Sequence, residues 1–402
     1  MRDNERLSTR VGKFRPSLTL ELKTLASERR DRGLPVFDFG LGETKGPLAT
    51  RIRDAAIEAY REGRTVYGDP AGLRELREEV LKWLGCGAAY DVENVVITTG
   101  AKQSLFNIFL AACNPADCAL LDAAPWVSYQ PLAVSSLAVP VMVQPAGGKA
   151  SRLKVNGADL ERELGMRPDV KLFLLNSPVN PTGQLYSSAE LLELLAVCVR
   201  NRVYLVLDRL YWRVVFDGKA FPEPTLDDET RRWLIQVDGI SKNFRRTGGL
   251  RIGWTVAPTD LAQAMANLQS HYTSGPSMPA QYAALAAIDA DYDNEMCQAL
   301  ERKRDRVWAA RETLPGVDVW PTPASFYSFW DVSGVFGRTT PGGETLDGSE
   351  KIARYLLGEA GVVTAPGSAF LQEGYLRISF AVHDDELEAG LAACAEAFGA
   401  LR

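Results

Sequence analysis

VKLFLLNSPVNPTG (170–183) and, beyond an intervening helical stretch, VYLVLDRLYW (203–212) decide how this chain folds. Each opens on a short run of apolar residues, the length and composition of a strand buried on both faces. Each run then stops at polar residues, Asn176 and Ser177 in the first, Asp208 and Arg209 in the second. Between them SAELLELLAVCVRN (188–201) repeats its apolar residues at three- and four-residue spacing, as a helix with one buried stripe does. Strand, helix and strand in that order make a βαβ unit of a parallel sheet.

Working outward, NVVITTG (94–100), CALLDA (118–123) and LIQVDG (234–239) read as further strands, and AGLRELREEVLKWL (71–84) and QSLFNIFLAA (103–112) as helices. The expectation is an α/β fold with a mostly parallel sheet from about Ala71 to Ala257. No G-x-G-x-x-G follows the first strand, so a dinucleotide-binding unit is not supported. After Pro279 the rhythm changes. Helices are predicted over Ala280–Asp289 and Asn294–Glu312, then a strand in ASFYSFWDV (324–332) and a helix near Glu350–Leu357. A strand in YLRISFAV (375–382) and a helix over Asp385–Leu401 follow. This reads as a smaller α+β domain, joined by a helix over Leu20–Arg30. The predicted division is 46–284 for the large domain and 1–45 with 285–402 for the small one. GRTTPGGETLDGSE (337–350) is expected to be a mobile loop.

With 402 residues the chain suits about two domains, and 46% hydrophobic residues suffice for a sizeable core. A net charge of -6 argues against nucleic acid or an anionic membrane as partner. No apolar run approaches a membrane span, and the charged stretch Met1–Pro16 lacks the apolar segment of a secretion signal, so a cytoplasmic location is expected. The six cysteines show no C-x-x-C spacing and read as small buried hydrophobes. With two histidines, a His-based metal site or Ser-His-Asp triad is not expected.

In parallel α/β sheets, ligands collect at the carboxyl ends of the strands. Those ends hold Gly100-Ala101-Lys102, Ala124-Pro125-Trp126, NSPVNPTG (176–183), Asp208 to Tyr211, and Ser241-Lys242. A glycine turn opening a helix suits a phosphate. An indole suits an aromatic ring. An amide, a carboxylate, a phenol and a lysine complete the set that a phosphorylated aromatic aldehyde requires.

Five segments carry a family resemblance: GAKQSLFN (100–107), PWVSY (125–129), NSPVNPTG (176–183), LDRLYWRVVFDG (207–218) and YLRISFA (375–381). In this order and spacing they resemble class I/II aminotransferases, most nearly the bacterial aspartate aminotransferases, from about Pro16 to the C-terminus. The resemblance implies the fold type I architecture and pyridoxal 5′-phosphate (PLP) as cofactor. It implies that Lys242 forms the Schiff base and moves the Cα proton, that Asp208 pairs with the pyridine nitrogen, and that Tyr211 and Asn180 bond the phenolic oxygen. By the same resemblance Trp126 would stack on the ring, and the amides of Gly100, Ala101 and Lys102, with Arg251, would hold the phosphate. Tyr67 would serve the neighbouring subunit's phosphate, which implies a homodimer with shared sites. Arg377 would clamp the substrate α-carboxylate, with Asn180 and the Gly42 backbone beside it. Lys102 matches the lysine that reaches a distal carboxylate, or is inherited without use.

Departures from the family surround these residues. Arg251 lies nine positions after Lys242, where the family has eight. Arg245 and Arg246 replace small and apolar residues and read either as a second anion site or as a solvated pair. GLGETKGP (40–47) lacks the usual proline and acidic-aromatic pair, and Arg209 replaces a glutamate. These changes are expected to cluster around substrate access. Two functions therefore stay open: transfer of an amino group from an amino acid to a 2-oxo acid, or another PLP reaction on this scaffold. The second covers elimination, replacement or oxidation, with a large anionic or S-adenosylmethionine-like substrate. A non-catalytic PLP-binding protein is a third reading, opposed by Lys242.

Overall fold

The computed structural model describes residues 11–13, 18–87, 89–288 and 294–402; most of the charged stretch at the start lies outside them. Its larger sheet has seven strands in the order Val95–Thr98, Gly253–Val256, Leu234–Gly239, Tyr204–Asp208, Val170–Asn176, Cys118–Leu121 and Val139–Met142. Gly253–Val256 runs antiparallel to both neighbours, and the other pairings are parallel. Two of these strands are missing from the sequence reading. Val139–Met142 is a sheet edge, where Pro140 is tolerated. Gly253–Val256 follows so closely on the loop after Lys242 that it has no separate apolar signature.

Alternate residues of the central strands fill opposite faces. Phe173, Leu175, Leu205 and Leu207 pack with Leu194, Leu195 and Cys198. Leu172, Leu174 and Val206 pack with Leu105, Ile108 and Phe109. Both faces are covered by helices, which is why the strands read as apolar throughout.

The second sheet is antiparallel, in the order Ala365–Pro366, Tyr375–Ser379, Tyr327–Asp331 and Asp318–Val319. Its core residues Leu376 and Ile378 pack with Leu300 and Val307 of the helix Glu295–Ala310 and with Leu387 and Leu391 of the helix Asp384–Gly399. The N-terminal helix, Leu18–Asp31, packs here, with Leu22 and Ala26 in the same core. Arg29 donates to the carbonyls of Pro35 at 3.0 Å and Gly358 at 2.5 Å. Phe37–Asp38 then pairs with Val362–Val363.

Three expectations are corrected. The helix predicted over 71–84 begins at Arg74. Gly72, at φ +97°, turns the chain so that the Ala71 carbonyl accepts the Ile97 amide at 2.8 Å. Segment 337–350 is a closed hairpin with a Thr339–Thr345 bridge, a turn at Gly343 (φ +87°) and Leu346 fully buried. Its glycines and threonines make a turn and not a mobile loop. The helix expected from Ala280 begins at Met278 and runs to Ile288, with Asp289 outside the described residues. The helix packs on Thr50–Arg61 and Arg74–Trp83.

Cys113, Cys118, Cys198, Cys297 and Cys394 are buried and unpaired. Among the described residues no helix is long and apolar enough to cross a membrane.

Candidate active site

The carboxyl ends of the large sheet and the edge of the small one enclose a cavity of about 570 Å³. The strand Tyr204–Asp208 delivers Asp208 to its floor, 4% exposed. The Tyr129 hydroxyl donates to Asp208 Oδ2 at 2.7 Å, and the Leu210 amide to Oδ1 at 3.2 Å. Burial pushes the Asp208 carboxyl up to about 6, against the opposing pull of Tyr129, the Leu210 amide and the charge of Lys242.

Lys242 stands on a single helical turn, Ile240–Asn243, that continues the strand Leu234–Gly239. Its Nζ donates to the Gly42 carbonyl. Burial draws this amine down to about 8; Glu43 opposes the shift, and Arg377 and Arg251 add to it. A lysine near 8 is an amine that can both attack a carbonyl and carry a proton.

A chain of polar groups joins the two sheets. Arg377 Nη1 donates to Asn180 Oδ1 at 3.0 Å, and Nη2 donates to the Gly40 carbonyl at 3.0 Å. Asn180 Nδ2 donates to the Tyr211 hydroxyl at 3.3 Å, which lies 3.2 Å from that of Tyr327. Burial pushes the Tyr211 phenol well above its usual range. Arg377 is buried, its guanidinium lies 4.4 Å from the Tyr327 ring, and its Nε has no partner among the described residues.

The helix Ala101–Ala112 opens onto the same space behind Gly100, at φ +75° and with no side-chain cap. A Cβ on Gly100 would meet Arg251 Nη2 at 2.3 Å, so glycine is what lets this guanidinium lie against the first helical turn. A tight turn, Gly248–Leu250, precedes Arg251, with Arg246 and Arg251 at φ +60° and +57°. At the rim Lys102 Nζ sits 5.0 Å from the centroid of the Trp126 ring, which meets Tyr129 edge to face.

Gly42, Ala101, Lys102, Trp126, Asn180, Asp208, Tyr211, Lys242, Arg251 and Arg377 thus line one cavity. Gly100 stands behind Arg251. Tyr67 is elsewhere: 92% exposed, it lines a surface hollow with residues of the 273–279 segment. Three departures expected near substrate access lie outside the cavity. Arg245 lines a separate hollow beside Pro47 and Met296. Arg246 is exposed and donates to the Gly46 carbonyl at 3.1 Å. Arg209 is buried, donates to Gln236 Oε1 at 2.7 Å, pairs with Glu223, and packs against the rings of Trp212 and Phe221.

Tyr129, Tyr327 and Glu43 also line the cavity although the sequence assigns them no role, and Asn176, legible there only as a strand end, joins them. Tyr129 and Asn176 stand inside quoted motifs, PWVSY and NSPVNPTG, and could have been found there. Tyr327 and Glu43 have no local signal, because only the approach of the small sheet brings them in.

Removing the Tyr129 hydroxyl tests the floor of this site. Tyr129→Phe should cost about 1.5–3 kcal/mol where Asp208 is ionised. The carboxyl rises from the ordinary value of 3.8 to about 6 in the folded chain, and loss of the donor raises it further. The stability difference from the parent should therefore be largest above the variant's raised value, shrink as pH falls from there towards 6, and be small below 6. Denaturant midpoints between pH 5 and 8 measure it; a pH-independent difference would show that the hydroxyl does not serve the charge.

Comparison with known proteins agrees with this geometry. Residues 35–393 match the model of the family "Aminotransferase class I and II". The chain is 34% identical to a probable aspartate/prephenate aminotransferase of Aquifex aeolicus, covering 96% of each sequence. It is 32% identical to an aspartate aminotransferase of Rhizobium meliloti, covering 96% of this chain and 94% of that one. The crystal structure of an aspartate aminotransferase from Rhizobium meliloti superposes with a TM-score of 0.92 at 32% identity, covering 98% of this chain and 99% of that one. An aspartate aminotransferase of Thermus thermophilus solved with maleate gives 0.86 at 29%, covering 97% and 99%. The chain belongs to the class I and II aminotransferases, a family that implies pyridoxal 5′-phosphate as cofactor.

Proposed function

We propose that this enzyme binds PLP in the 570 Å³ cavity and moves an amino group from an acidic amino acid to a 2-oxo acid, as an aspartate/prephenate-type aminotransferase. One observation carries the reading: a lysine drawn down to about 8 and a buried carboxylate line the same cavity as an arginine at a helix start. The donor set fits the cofactor. The cradle of Gly100, the Ala101 and Lys102 amides and Arg251 suits a phosphate. Asp208 suits a protonated ring nitrogen, Asn180 and Tyr211 suit a phenolic oxygen, and Trp126 suits a ring face.

When bound, PLP supplies an aldehyde that captures amines and a ring that accepts the electron pair left at the substrate Cα. Asp208 keeps a proton on the ring nitrogen by offering it a buried anion. Arg377 turns its fork to the substrate α-carboxylate, with the Asn180 amide alongside and Gly42 bounding that end of the cavity. Lys102, at the rim, answers a second carboxylate. Lys242 would hold the cofactor through its aldehyde and, as a free amine, would be the base that takes a proton at the substrate Cα. Elimination, replacement or oxidation of a large anionic substrate finds less support, because Arg245 and Arg246 lie outside the cavity.

The site is completed by a second copy of the chain. Tyr67 is too exposed to serve its own cavity, and a tyrosine that bonds the phosphate of a neighbouring site explains the exposure. The unpaired buried cysteines fit a reducing, cytoplasmic setting.

Two predictions follow from these roles. Added PLP should become fixed to Lys242 on borohydride reduction, with attachment accelerating as pH rises and levelling off above about 8; mass spectrometry of peptides locates the modification. Lys242→Ala should abolish it, and an adduct elsewhere would overturn the cofactor assignment. Inactive Lys242→Ala and impaired Tyr67→Phe subunits, once mixed, should regain activity, because hybrids contain one site that is intact in both residues. Activity that stays at the sum of the separate variants would contradict shared sites.

A further inference from the structure

A buried acid next to Asp208 has no part in the chemistry above. Asp122 follows the strand Cys118–Leu121, which pairs with Val170–Asn176, which in turn pairs with Tyr204–Asp208. Asp122, Asn176 and Asp208 therefore stand in a row at the ends of three adjacent strands. Asp122 is 3% exposed and accepts the Asn176 amide on Oδ2 at 3.3 Å, while Oδ1 has no partner among the described residues. The Asn176 side chain donates to the Asp208 carbonyl at 2.8 Å and accepts the Asn180 amide at 2.6 Å. One bond therefore links Asp122 to the residue that sets both Asp208 and Asn180.

A neutral acceptor would satisfy the Asn176 amide without the cost of burying an acid. What only an acid adds is a second ionisable group. The groups that act on Asp122 are the surrounding burial, the Asn176 amide and Asp208, with no cation among them; Tyr129 and Tyr186 feel its charge in turn. We propose that Asp122 is a positioning residue that forms with Asp208 a coupled pair of buried carboxylates at the ends of neighbouring strands behind the cavity floor. The charge on each sets the proton affinity of the other and, through Asp208, of the cation that Asp208 faces. With Asp208 unpaired, repulsion keeps the proton on Asp122, in agreement with a carboxyl pushed up to about 7 chiefly by burial. A protonated ring nitrogen at Asp208 relieves that repulsion. Asp122 then releases its proton to solvent, and two anions hold the ring cation in place of one.

This inference rests on the PLP reading of the cavity, and the test separates the two. Pyridoxamine 5′-phosphate, which forms no bond to Lys242, is titrated into cofactor-free enzyme between pH 6 and 8. Asp122→Asn should weaken its binding by about tenfold at pH 8 and little at pH 6. In the PLP form, the visible absorption of the Lys242-linked chromophore should titrate about one pH unit lower in the variant. A loss that is equal at both pH values, or no change in either readout, would make Asp122 a scaffold residue and overturn the proposal. Failure of the parent chain to bind the probe would instead reject the cofactor reading. Asp122→Ser, which keeps an acceptor for the Asn176 amide, gives the same comparison if the asparagine variant does not fold. The parent enzyme supplies an independent check. Its infrared difference spectrum at pH 7 should lose a protonated-carboxyl band when pyridoxamine 5′-phosphate binds, and an unchanged band would also overturn the pair.

Discussion

A carboxylate buried at the end of a central strand is unfavourable unless something positive faces it, and Asp208 is that carboxylate. The polar residues around it are arranged to hold it and not to neutralise it. Tyr129 and the Leu210 amide each donate one hydrogen bond, and Asn176 ties its backbone to the next strand. Tyr129 is itself fully buried, so the donor cannot swing away. Among the described residues the positive side chain acting on Asp208 is Lys242, and its amine is already engaged by Gly42. The large sheet therefore presents an anion in want of a cation. A protonated pyridine ring meets that requirement.

The smaller sheet contributes the other half of the constraint. Arg377 occupies a central position on the strand Tyr375–Ser379, opposite Phe329 and Ala365. From there it reaches Asn180, in the loop that follows the strand Val170–Asn176, and Gly40, between Phe37–Asp38 and the helix Thr50–Arg61. Gln372 donates to the Ala123 carbonyl at 2.6 Å, and Lys149 pairs with Asp331, so the two sheets meet beside the cavity as well as across it. The placement of Arg377 depends on this seam, because its partners come from both sides.

Much of this was legible in the sequence, for reasons that differ by element. Strands buried on both faces leave apolar runs, and the residues that end those runs are the ones the sheet presents to a ligand; Asn176, Asp208 and Lys242 follow from that alone. The helix start at Arg74, the strand Gly253–Val256 and the hairpin over 337–350 did not follow, because each is set by tertiary contact. Gly72 turns for Ile97, Gly253–Val256 is recognised by its pairing, and Leu346 is buried by the fold around it. Arg209, Arg245 and Arg246 looked like changes in the site because they adjoin its motifs. Side chains on successive residues point in different directions, and these three point away from the cavity. Tyr327 was illegible for the converse reason: nothing in its own strand tells which sheet it will face.

The central claim is that the amino group is transferred and not expelled. It is tested most directly by incubating the PLP-loaded enzyme with ¹⁵N-aspartate and prephenate and following the label by nuclear magnetic resonance. Transfer predicts ¹⁵N on the amino acid formed from prephenate, with one oxaloacetate produced for each label moved. Label appearing as free ammonia, with no labelled amino acid formed, would contradict it.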